Sequence, residues 1–132
     1  MIKKIHLLSI FFSLTFYSIK AQKRIPDSLL VGIWKGTSIC QVKNSPCHDE
    51  IVVYYITKAQ GIDTFNISAN KIVNGKEEEM GIITCRFDKD NSQLVSTSYN
   101  GFWTFKLKDK TIDGTLIYKG ELYRIIKVSR QQ

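Results

Sequence analysis

Histidine is almost absent. The 132-residue chain holds two, His6 and His48. A zinc centre needs three or four converging ligands, and a serine or cysteine nucleophile is usually activated by a neighbouring base, most often histidine. Both classes have little to draw on. No basic run exceeds two residues and no nucleic-acid-binding motif is present, so a nucleic-acid partner is not expected. No phosphate-cradling glycine loop occurs. No apolar run reaches the roughly 20 residues of a membrane-spanning helix. Helical periodicity is nearly missing too. Only "PDSLLVG", residues 26–32, has room for a helical turn, with Pro26 and Asp27 at its start.

What is present begins with an address. Lys3 and Lys4 precede Leu7 to Ile19, thirteen residues without a charge, and then comes "KAQ". A basic head, a short apolar core and a small residue before the cut describe a secretory signal peptide. Cleavage after Ala21 is expected, leaving residues 22–132 as one domain. No cysteine stands at the cut to carry a lipid anchor. The removed segment holds three lysines and no acid, so the net charge falls from +7 to +4. That modest excess is a matter of solubility. The expectation is an exported protein, periplasmic or extracellular, without stable membrane insertion after cleavage.

Export permits disulfides. "CQVKNSPCHDE", residues 40–50, sets Cys40 and Cys47 seven apart around Pro46. The expected bridge is Cys40–Cys47, with Cys85 left as a small core residue. The alternatives are Cys85 with either of the other two, or a bridge between chains. "CHDE" is not expected to bind metal. In a strand its side chains alternate faces, so His48 and Glu50 would share one and Cys47 and Asp49 the other, and the four cannot converge. The stretch reads instead as a pinned turn in which Asp49 or Glu50 accepts hydrogen bonds near the strand start.

The remainder reads as strands. "GIWKGTSICQV" sets Trp34, Gly36, Ser38, Cys40 and Val42 on one face. "IVVYYIT" is β-branched and aromatic. "TFNISANKIV" alternates, with Phe65, Ile67 and Ala69 on one side. Asn74–Gly75 signals a tight hairpin, and Asn100–Gly101 repeats the device. "KEEEMGIITCRF", "QLVSTS", "FWTFKL", "TIDGTLIY" and "ELYRIIKVS" complete eight strands. Eight strands with short turns suggest an antiparallel meander, and closure removes the exposed edges of a flat sheet. The predicted fold is all-β, an eight-stranded antiparallel up-and-down barrel with a short N-terminal helical turn. The alternative is a β-sandwich.

These residues resemble a family. Gly32-Ile33-Trp34 is a G-x-W on the first strand, and "LYRIIKV" sets Arg124 on the last. Lipocalins and the wider calycin superfamily share such a pairing. The chain is also similar to small exported bacterial lipocalin-like proteins of unassigned function, through "GIWKGTS.C", "SPCHDE", "NGKEE.MG" and "GTL...G.L.R...V". The resemblance implies structural roles for Gly32, Trp34 and Arg124. The tryptophan would close one barrel end and Arg124 would pack across its face, a cation–π contact.

The resulting expectation is a binding protein for a small apolar or amphipathic ligand, held at the end opposite Trp34. Candidate lining residues are Tyr54, Ile56, Phe65, Ile67, Met80, Ile82, Trp103 and Phe105, which would otherwise simply fill the barrel. The alternative is a protein-interaction or inhibitor module using Tyr99, Phe102, Tyr118 and Tyr123. An enzyme is not expected: Glu77–Glu79 reads as a solvated strand face. No metal and no cofactor are implied.

Overall fold

The computed structural model describes residues 15–17 and 27–132, so the expected signal peptide falls largely outside the described residues. Eight antiparallel strands close one barrel in sequence order. They are β1 (Gly32–Cys40), β2 (Glu50–Lys58), β3 (Thr64–Val73), β4 (Lys76–Asp88), β5 (Gln93–Ser96), β6 (Gly101–Lys108), β7 (Thr111–Tyr118) and β8 (Glu121–Arg130). A 3-10 turn at Asp27–Leu29 precedes β1. The strands are those the alternation indicates, except that β1 stops at Cys40, short of Val42, and β5 at Ser96, short of Ser98.

Alternation dictates the interior. Trp34 and Ser38 of β1, Val52, Tyr54 and Ile56 of β2, and Phe65, Ile67 and Ala69 of β3 are buried. On β4 the buried set is Ile83, Cys85 and Phe87. Fully burying each large side chain is worth roughly 1.5–3 kcal/mol. Rings set the packing: Tyr54 meets Phe105 edge-on with centroids 6.0 Å apart, and Phe65 meets Phe87 at 6.5 Å.

One end is plugged. Trp34 is fully buried, and its indole N–H donates to Leu30 O at 2.9 Å. A guanidinium covers the ring, 4.8 Å from its centroid, and it belongs to Arg130. The expectation for Arg124 is therefore corrected. The β1–β8 register sets Trp34 opposite Arg130, and Arg124 opposite Cys40. Six residues of strand separate the two arginines, about 20 Å. Arg130 also donates to the carbonyls of Ser28, Leu29 and Val31, tying the 3-10 turn over the plug. Gly32 makes room for this. Its φ is +147°, and the Arg130 guanidinium occupies the space a β-carbon would need.

The Cys40–Cys47 bridge is present, and Cys85 is free and buried. Asp49 accepts from the Cys40 N–H at 2.8 Å, pinning the loop as its acidic residues suggest. Replacing both bridge cysteines by serine is expected to lower stability by about 2–3 kcal/mol, the chain-entropy value for so short a loop. Urea unfolding of the double variant checks this.

The second Asn–Gly pair is not a tight hairpin. Tyr99 and Asn100 take left-handed φ of 57° and 58°, and Gly101 is extended and begins β6. This kinked turn has a consequence for the site.

Candidate functional site

The end opposite Trp34 holds a cavity of about 220 Å³. Small inward residues open it. Ser38 on β1, Ala69 on β3 and Gly81 on β4 occupy positions where deeper layers carry Trp34, Phe65 and Phe87. Tyr54 and Ile83 line its lower part, and Trp103 and Tyr99 its side. Trp103 stacks on Phe105 beneath, centroids 6.0 Å apart, and donates its indole N–H to Ser98 O at 2.9 Å.

Two irregularities shape the rim. Ala69 pairs with Gly81 but Asn70 pairs with Glu79, so Met80 is an extra residue in β4. Leu116 pairs with Arg124 but Ile117 pairs with Leu122, so Tyr123 is an extra residue in β8. Such bulges re-aim side chains at barrel rims. The first turns Met80 to the cavity although it lies one residue from Gly81, which also lines it. It also accounts for Ile82. Placed with Met80 on the inner face by simple alternation, Ile82 in fact points outward and is 50 % exposed.

The β4–β5 seam is also short. Only Arg86–Asp88 pair with β5. Above them, side chains replace the ladder. Ser98 Oγ accepts from Thr84 N at 3.2 Å. The Tyr99 hydroxyl accepts from Ile82 N and donates to Ile82 O, both at 3.0 Å. Gly81, with φ of +146°, leaves the place of its missing β-carbon to that hydroxyl.

The polar groups gather on β1, β2 and β8. Ser38 is registered with Glu50 on one side and Ile126 on the other. Arg124 Nη1 donates to Ser38 O at 3.3 Å, Ser38 Oγ at 3.2 Å and His48 O at 3.0 Å. Glu50 Oε2 lies 3.7 Å from the same nitrogen, an ion pair too long for a hydrogen bond. The two side chains are 13 % and 19 % exposed. Burial holds the Tyr54 phenol well above the ordinary tyrosine range, and Glu50 adds to that while Arg124 opposes it. Tyr54 is therefore a neutral group close enough to feel both charges.

Of the eight residues expected to line a site, Tyr54, Met80 and Trp103 line the cavity. Ile56, Phe65, Ile67 and Phe105 lie in the packed core below. Sequence reasoning missed Ser38, Glu50, Ala69, Gly81, Ile83, Tyr99 and Arg124 as lining residues. Alternation does set Ser38 and Ala69 inward, and the pairing of β1 with both β2 and β8 then brings Glu50 and Arg124 beside them. Among the described residues no group of three or more His, Cys, Asp or Glu side chains is placed to hold a metal ion. Burial pushes the Cys85 thiol up to about 12. In the folded protein at pH 8 it is expected to resist a thiol reagent, and to react fully, one thiol per chain, once denatured.

Fold and site together define a closed eight-stranded antiparallel barrel, plugged at one end and hollow at the other. Comparison with protein-family models, with curated proteins and with solved structures finds no match.

Proposed function

We propose that this chain is an exported, lipocalin-like barrel that binds a small amphipathic molecule in its hollow end. The observation that carries the reading is the cavity: mostly apolar walls with a guanidinium, a carboxylate and a phenol at one side. That is the composition of small-molecule sites, where a few polar groups orient the ligand. The disulfide is compatible with export, and no helix among the described residues is long and apolar enough to cross a membrane. Arg130 over Trp34 supplies the tryptophan–arginine plug of the lipocalin resemblance, on a different arginine.

Native mass spectrometry of the oxidised protein, isolated from the organism that makes it, tests this. An added mass released on denaturation is the expected result. A bare chain that also takes up no small molecule in calorimetric screening would overturn it.

A second reading, an interaction module, is favoured by one row of side chains. Phe102, Ile117 and Leu122 are registered across β6, β7 and β8, face outward and stay exposed. If that row docks a protein, charged substitutions there abolish recovery of a partner by affinity purification and leave the cavity's binding intact.

A further inference from the structure

The ligand's head group can be specified further, on the footing that the cavity is a binding site. Arg124's hydrogen bonds and its ion pair all run through Nη1, while the guanidinium carbon lies 5.8 Å from the centroid of the Tyr123 ring. A guanidinium carries five N–H donors, so the three on Nε and Nη2 have no hydrogen-bond partner among the described residues. Glu50 receives no hydrogen bond from a described side chain, since the 3.7 Å approach of Arg124 is too long to be one. The Tyr54 phenol, buried on the same wall, is likewise without a hydrogen-bond partner among them. These atoms are not sealed in protein, since the fully buried side-chain polar atom without a partner among the described residues is Asn70 Oδ1; their unused capacity is open to whatever occupies the cavity.

A net anion would meet Arg124 but also a carboxylate beside it. A net cation would meet Glu50 but also the guanidinium. A head carrying both charges satisfies both groups, and the close spacing suits one whose charges are separated by a single carbon. Size limits the rest. An engineered apolar cavity of roughly 150 Å³ takes benzene, so about 220 Å³ admits one ring or a short branched chain and no long acyl tail. The tail would lie against Trp103, Met80 and Ile83.

We propose that the mouth selects an apolar α-amino acid or a close zwitterionic relative, with its carboxylate on Arg124, its ammonium on Glu50 and its side chain in the aromatic pocket. The test is titration calorimetry of the folded, oxidised protein with two matched series. One is L-phenylalanine, 3-phenylpropionate and 2-phenylethylamine. The other is L-leucine, 4-methylpentanoate and 3-methylbutylamine. In at least one series the zwitterion is expected to bind 10-fold or more tighter than either relative. Glu50→Gln is expected to erase the preference over the carboxylate, and Arg124→Lys to weaken the zwitterion while circular dichroism stays unchanged. Equal binding of all three members in both series would overturn the zwitterion proposal and leave the cavity reading standing. No binding by any of the six would overturn the zwitterion proposal, while the cavity reading is decided separately by native mass spectrometry and the wider calorimetric screen.

Discussion

Alanine in place of Trp34 is expected to cost about 3–5 kcal/mol of folding stability, the usual range for emptying a buried tryptophan site. The side chain is fully buried and is a member of the central core. It also anchors two other parts of the closed end. Its indole N–H holds Leu30 O, and Arg130 lies across its face. Removing it leaves a buried carbonyl without its donor and a guanidinium without its platform. Small domains are stable by about 5–15 kcal/mol, so the loss takes a large share of the total. Arg130→Ala should cost less but act at the same place, since it frees the carbonyls of Ser28, Leu29 and Val31. Denaturant unfolding of both variants gives the comparison. A small loss for Trp34→Ala would mean that the plug is not what closes the barrel.

The second large effect is alkaline. Cys85 is held neutral by burial, with its thiol pushed up to about 12, and Tyr54 is raised in the same direction. An unfolded cysteine ionises near 8.5 and an unfolded tyrosine near 10. Above those values the unfolded chain binds fewer protons than the folded one, so stability falls as pH rises. Below about pH 8 the contribution is complete. Above the unfolded cysteine's value the loss from Cys85 steepens towards a limit of about 1.4 kcal/mol per pH unit, and it levels off as the folded value is approached. Stability measured by urea from pH 8 to 11 should decline steeply. Cys85→Ala should flatten the first part of the decline and leave the tyrosine part.

The general plan was legible because period-two patterning is a direct consequence of pleat geometry. β3 shows it most plainly: Phe65, Ile67 and Ala69 face in, as their spacing requires. Legibility failed where the ladder is irregular. The extra residue at Met80 is invisible in composition, and without it Ile82 falls on the wrong face. Which arginine meets Trp34 depends on the β1–β8 register, a long-range pairing that no local pattern encodes. Arg124 and Arg130 are an even number of residues apart, so alternation gives both the same face and cannot choose between them. The second Asn–Gly failed for another reason. β5 ends early at Ser96, so the chain crosses a gap and Tyr99, not a turn, completes the edge of β4. The polar side of the cavity was missed because of long-range pairing: Glu50 on β2 and Arg124 on β8 meet only when β1 pairs with both strands.

The protein carries its own reporters for the central claim. It has two tryptophans, one at each end of the barrel. Trp34 N–H is held by Leu30 at the plug, and Trp103 N–H by Ser98 beside the cavity. In a ¹⁵N-labelled sample each gives one indole resonance. Titration with L-phenylalanine or L-leucine is expected to move the Trp103 signal in a saturable way and leave the Trp34 signal in place. A shift at Trp34, or saturation with Trp103 unmoved, would contradict a ligand site at the hollow end.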